Sequence, residues 1–278
     1  MNRKKTQRGV ASLLLALFSL VYVSPLFIIL FNSFKLKTYI NLEPFKLPTA
    51  ETWVGLENYL AGINDYGLLS SVGWTLMITL GSVAAILFFC SMFAWFITRV
   101  NSIYTKILYI LCVFSMVVPF QMVMFTLSKT ADTLRLNTPW GIIIVYLGFG
   151  AGLAIFIFSG FVKGIPIEIE EAATIDGCNP PTVFFRIVLP MMQPTYISVG
   201  ILQTMWIWND FLLPYLVLDQ RNYKTISMVI QSMKGSFGRV DMGAIMACLV
   251  MAVIPMIVFY LFSQKYIIEG VAAGAVKG

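Results

Sequence analysis

Six stretches of the chain are apolar for long enough to matter: near residues 10–31, 72–97, 107–127, 140–162, 196–217 and 242–263. A helix needs about 20 such residues to cross the hydrocarbon of a bilayer. The only open-ended structure stable there is a helix, because every backbone N–H and C=O must be satisfied internally. The pattern therefore predicts an all-α, polytopic membrane protein with six transmembrane helices, organised as one transmembrane domain over residues 1–278. The polar residues gather between the spans, chiefly in 32–71, 163–195 and 218–241.

Composition agrees with that class. The chain is 59% hydrophobic and 12% charged, with a mean hydropathy of +0.84, too little polar surface for a soluble domain. It has no histidine, which removes imidazole bases, His-ligated metals and His proton switches. Cys90, Cys112, Cys178 and Cys248 lack C-x-x-C spacing and read as small core hydrophobes. The net charge of +6 carries no sign of nucleic-acid binding.

Charge placement orients the spans. Arg3, Lys4, Lys5 and Arg8 precede the first one, as in a signal peptide. Its 22 apolar residues exceed a signal's core and no small-residue cleavage site follows, so a retained helix is expected. With the N-terminus inside, the loops divide 19 basic residues almost evenly. The basic N-terminus and the short second loop, with Arg99 and Lys106, tip the balance. Both termini and residues 163–195 are then expected in the cytoplasm of a bacterial cell, with 32–71 and 218–241 outside.

The polar interval 163–195 has an internal pattern. Pro166 suits a first helical position, and Glu168, Glu170 and Glu171 favour the positive end of a helix dipole. Ile165, Ile169, Ala172 and Ala173 recur at helical spacing and predict one narrow apolar face. Gly177 fits a terminus that needs a left-handed residue. Asn179, Pro180 and Pro181 read as the start of a second short helix with Phe184, Ile187 and Val188 on one side, ended by Pro190. On the residues alone, a surface helix pair that packs under its own bundle accounts for this as well as a docking site does.

The exact offsets add to this. Glu171-Ala172-Ala173, then Asp176-Gly177, Leu189-Pro190 and Pro194, with Gly164-Ile165-Pro166 before them, resemble the cytoplasmic EAA loop of ABC importer permeases. Cys178 stands where that family usually has alanine. Val118-Pro119-Phe120-Gln121, Leu136-Asn137-Thr138 and Trp208-Asn209-Asp210-Phe211-Leu212-Leu213-Pro214 are similar to maltose-type carbohydrate permeases. So is the closing run Gln264-Lys265-Tyr266, Gly270 and Ala273 to Gly278.

The resemblance implies a permease subunit of a binding-protein-dependent importer of sugars or oligosaccharides. It also implies a second, related permease, two ATP-binding subunits and an external solute-binding protein. Glu168, Glu171, Ala172, Ala173, Asp176, Gly177, Leu189, Pro190 and Lys277 would then form the coupling surface toward the ATPase. Lys234, Gly235 and Phe237, in the last external loop, would contact the binding protein.

No Gly-Lys pair occurs, hence no G-x-x-x-x-G-K-[ST] phosphate loop. ATP and Mg are expected on the partner ATPase and no cofactor on this chain, which is expected not to be an enzyme. Gln203, Trp206, Asn209 and Asp210 are the candidate polar site of the fifth span, either as interhelix pins or as sugar contacts. Trp208 joins Trp206 as a ring that either packs between helices or stacks on a sugar. Gly148 and Gly152 make a G-x-x-x-G in the fourth span, read first as close helix packing. A sugar-phosphate or polyol permease of the same family is the alternative. A secondary transporter is a weaker one, since Asp210 is the only acid placed inside a span and the two halves show no repeat.

Overall fold

The computed structural model describes residues 2–234 and 240–275. Among the described residues four helices are long and apolar enough to span a membrane: Ala11–Asn32, Leu68–Arg99, Pro139–Val162 and Met242–Tyr266. The first belongs to α1 (Asn2–Asn32), the second is α4 (Leu68–Arg99), the third α7 (Pro139–Val162) and the last lies in α14 (Met242–Ala275). Two bent helix pairs bring the number to six only if each pair is one span.

The third and fifth expected spans are corrected in this way. Residues 107–127 form no continuous helix. α5 (Ile103–Ser115) and α6 (Phe120–Thr133) meet at 104°. Pro119 lies at the break with ψ 133; it has no N–H to continue the ladder and disfavours helical backbone at Val118 before it. Residues 196–217 are likewise divided, into α11 (Gln193–Asn209) and α12 (Leu212–Val217).

Nor does Pro190 end the second short helix of the polar interval. α9 (Pro180–Val183) continues through a π turn, Phe184–Val188, into α10 (Leu189–Met191), which meets α11 at a bend of 76°. The widened turn just before Pro190 gives the proline ring room that a regular α-turn would not.

The chain forms two compact units. One comprises residues up to Ser70 with Val229–Ile257. In it, residues 33–59, part of the polar interval 32–71, are tightly built around α2 (Lys37–Leu42) and α3 (Glu57–Asn64). Lys35 and Trp53 form an antiparallel bridge, and Phe34 stacks on Trp53 at 4.9 Å. The Asn58 amide donates to the carbonyls of Ser33 and Lys35 at 2.8 and 3.0 Å. Lys35 is 1% exposed, and its Nζ donates to the Glu43 and Lys46 carbonyls. Burial draws its ammonium below the usual lysine range, and the Glu43 carboxylate opposes that shift.

The other unit runs from Ser71 to Met228 with Val258 onward. Its core joins Ile78, Ile86 and Ala94 of α4, Tyr146, Ala154 and Phe158 of α7, and Phe184 and Val188 of the π turn. Close approach is visible at Gly152. A Cβ there would lie 2.8 Å from the Cys112 carbonyl and 2.7 Å from Ser115 Oγ. Gly148, the other half of the G-x-x-x-G, has open space around it. The motif is therefore a packing contact at one glycine only. Gly152→Val should lower stability by about 1–3 kcal/mol through overpacking of α5 on α7, whereas Gly148→Ala should leave thermal melting of the detergent-solubilised protein unchanged.

Candidate functional site

Glu168, Glu171, Ala172 and Ala173 of the predicted coupling surface lie on one short helix, α8 (Ile167–Ile175). Pro166 is the capping residue just before it, one position earlier than expected. The end is a Schellman turn. Cys178 N–H donates to the Ala173 carbonyl and Gly177 N–H to that of Thr174, both at 3.0 Å. Gly177 takes φ +88, the left-handed conformation read from the sequence. Asn179 then caps α9, its Oδ1 accepting from Thr182 N–H at 3.0 Å, with Pro180 and Pro181 in the first turn.

The expected single apolar face is corrected. Ile165, Glu170 and Ala173 are buried, whereas Ile169 and Ala172 face outward with Ile175, which is 86% exposed. At about 100° per residue, Glu170 and Ala173 share one side of the helix. Positions 169, 172 and 175 share another. The alanine pair is thus divided between an inner and an outer face. Glu168, Glu171, Asp176 and Gly177 are exposed, Leu189 is half-buried and Pro190 exposed.

What fixes α8 is Glu170, which the sequence suggested only as one of three acids at a helix start. The Glu170 carboxylate accepts from Arg99 Nε at 2.9 Å and Nη2 at 2.7 Å on one oxygen, and from Trp95 Nε1 at 2.8 Å on the other. Arg99 Nη2 also donates to the Ile165 carbonyl at 2.8 Å. The Glu170 and Arg99 side chains are 8% and 17% exposed. Such a shielded, charge-assisted pair is directional; here it ties the last turn of α4 to α8. Three acids within four residues hid which one turns inward. The available signal was Trp95 and Arg99, an i, i+4 pair at the end of the second span. Beside the pair is a cleft of about 530 Å³ whose walls include Glu171, Thr174, Ile175 and Pro180.

The fifth-span candidates separate into two groups. Gln203 is 1% exposed and donates through Nε2 to the Gly150 carbonyl at 3.2 Å. Asp210 Oδ2 accepts from Tyr146 OH at 2.9 Å, while Oδ1 accepts from Leu212 N–H at 3.0 Å and Leu213 N–H at 3.4 Å. Asp210 has extended backbone, ψ 132, so the helix breaks at this residue, whose carbonyl Pro214, four positions later and without an N–H, could not bond in a continuous helix. Its side chain supplies the cap that the new helix lacks. Trp206 and Asn209 lie on the exposed side of α11 instead, Trp206 being 41% exposed and edge-on to Tyr146 at 5.5 Å. Trp208 is 6% exposed. Lys234 is exposed; Gly235, Phe237 and Lys277 lie outside the described residues. Among the described residues no cluster of His, Cys, Asp or Glu fits a metal.

Residues 77–272 match the family described as the binding-protein-dependent transport system inner membrane component. The chain belongs to that family. It is a multi-pass membrane permease subunit of a transport system and not an enzyme.

It is 35% identical over 278 residues, all of both chains, to the "probable starch degradation products transport system permease protein AmyC" of Thermoanaerobacterium thermosulfurigenes. It is 32% identical, with 95% of each chain covered, to the "multiple sugar-binding transport system permease protein MsmG" of Streptococcus mutans. The fold is similar to a chain of a bacterial ABC transporter involved in import of the acidic polysaccharide alginate. There the TM-score is 0.80 at 20% identity, covering 96% of this chain and 98% of that one. A second alginate transporter structure, in complex with an alginate pentasaccharide-bound periplasmic protein, has a TM-score of 0.68 at 16% identity.

Proposed function

We propose that this subunit imports oligosaccharides, and that α8 is the element through which a separate ATPase drives it. The observation that carries the coupling role is the two-sided character of α8. Its inner side is ion-paired to the end of α4, while its outer side offers Ile169, Ala172 and Ile175 flanked by Glu168, Glu171 and Asp176. An exposed apolar stripe with an acidic rim is suited to seat in a partner's cleft, and its tie to α4 would carry a displacement into a span.

The complete assembly in this reading has a second, homologous permease, two ATP-binding subunits that hold ATP and Mg, and an external solute-binding protein, in the inner membrane. In this reading six spans, entered from a basic N-terminus on the inner side, put both termini and residues 163–195 in the cytoplasm. Lys277 is then assigned to the contact with the ATPases, and Lys234, Gly235 and Phe237 to the contact with the binding protein. The carbohydrate class is supported by the substrates in the names of the relatives above. Trp206 and Asn209, exposed together on α11, are the side chains available to a sugar ring and its hydroxyls.

Two substitutions test the coupling role. Glu171→Lys reverses charge on the outer rim without touching the Glu170 pair. Gly177→Val puts a β-branched residue at φ +88, a local strain of about 1–3 kcal/mol in open space. Both variants should reach the membrane, yet sugar uptake by the reconstituted transporter should fall about tenfold or more, a loss of coupling on the scale of 1.4 kcal/mol. Uptake at the normal rate by both would refute the role.

A further inference from the structure

A second cleft, distinct from the one beside Glu170, lies where α4 and α7 end and α5 begins. Its volume is about 410 Å³, and Thr98, Asn101, Lys106, Tyr109, Ser159 and Lys163 are among the residues that line it. No carboxylate lines it. Among the described residues the ion pairs are Lys46–Glu43 and Arg99–Glu170, so neither Lys106 nor Lys163 is neutralised by an acid. Both lysines are exposed, and Lys163 Nζ lies 5.3 Å above the Tyr109 ring. Two unpaired cations held on one cavity set up a local positive potential.

A separate observation points to a ligand. Ser159, one turn before Lys163 on α7, is 1% exposed, and its Oγ has no hydrogen-bond partner. Thr98, which lines the same cavity, satisfies its own hydroxyl on the Ala94 carbonyl at 2.7 Å. A buried hydroxyl left unpaired is costly and calls for an acceptor. On α5, the helix that carries Lys106 and Tyr109, Ile103, Tyr104, Ile107 and Ile110 are exposed, the surface expected of a helix that meets lipid.

We propose that this cavity is a phosphate-binding site, with Lys106 and Lys163 as the cations and Ser159 Oγ as a donor. A phosphate group supplies what the cavity lacks: negative charge and several acceptor oxygens in a compact tetrahedron. The same chemistry comes from two sources, the phosphodiester headgroup of an anionic lipid and a free phosphate in solution. Basic pockets between spans near the membrane surface are suited to the first.

The test uses the assembled transporter. One arm places it in phosphatidylcholine nanodiscs doped with spin-labelled phosphatidylglycerol; the other titrates inorganic phosphate against it in detergent. Saturable binding is expected in at least one arm, the lipid arm alone identifying a membrane source and the phosphate arm alone a soluble one. Lys106→Gln with Lys163→Gln should weaken that binding about twenty-five-fold, two lysines each worth about fivefold at an anionic surface.

Ser159→Ala, which removes one atom and keeps both charges, should weaken it about fivefold. Lys129→Gln with Lys224→Gln, exposed lysines outside the cavity, should change it less than about twofold. Absence of saturable binding in both arms, or an equal loss in the Lys129 and Lys224 control, would overturn the site.

Discussion

Arg99→Ala should uncouple this transporter more severely than any change on the exposed side of α8. It leaves the buried Glu170 carboxylate with only Trp95 Nε1 as a donor, and it frees the Ile165 carbonyl. Removing one partner of a buried ion pair costs about 3–5 kcal/mol, because the remaining charge stays desolvated. α8 should therefore detach locally from the end of α4, while the spans, held by their own apolar contacts, persist.

The expected signature is membrane insertion at wild-type levels, ATPase activity that no longer responds to the substrate-loaded binding protein, and uptake close to background. Arg99→Met with Glu170→Leu replaces the pair by apolar groups of similar bulk and should recover part of the stability. Measuring local protease sensitivity around residues 163–195 alongside uptake separates the two effects. An Arg99→Ala protein with normal uptake and unchanged protection would show that α8 is held by something else.

Asp210→Leu is the second large effect, and it acts on assembly before it acts on sugar. Tyr146 is fully buried, and its hydroxyl has Asp210 as its hydrogen-bond acceptor. Leucine orphans that hydroxyl and uncaps Leu212 and Leu213 at the start of α12. Each buried polar group left unsatisfied costs about 1–3 kcal/mol.

Asp210→Asn keeps an acceptor for the two N–H groups, and its amide can donate to the Tyr146 oxygen. Asparagine should therefore assemble and retain most transport, while leucine should lower the yield of intact complex and its melting temperature. A leucine variant that assembles and melts normally but loses sugar affinity would move Asp210 from the packing of the bundle to the transport path. Trp206→Ala offers the contrast, since that ring is 41% exposed: its loss should alter uptake with little change in melting.

The sequence alone determined the features that depend on near neighbours along the chain. The long apolar runs became four spanning helices because length and hydropathy suffice to require a helix in lipid. Gly177 was readable because a helix that must turn back needs positive φ, and Asn179 because a short polar side chain before two prolines caps a helix start. The EAA offsets led to the family in the same way, since they are fixed spacings within one loop.

Only the tertiary structure decided which side of each helix met a partner. Glu168, Glu170 and Glu171 are chemically alike in sequence, yet Glu170 alone turns inward, because Arg99 waits there from a helix 71 positions away. Val118-Pro119 read as part of a span until the two halves bent by 104°, and Asp210 read as a charge in mid-helix until its backbone proved extended and its carboxylate a cap. Residues 33–59 fall in a polar interval of the chain; their order rests on Asn58, Lys35 and Trp53 meeting backbone and rings 8 to 25 positions distant. Hydrophobic pattern records how much of a helix is buried, and it is long-range hydrogen bonds and ion pairs, paid for by desolvation, that select the partner.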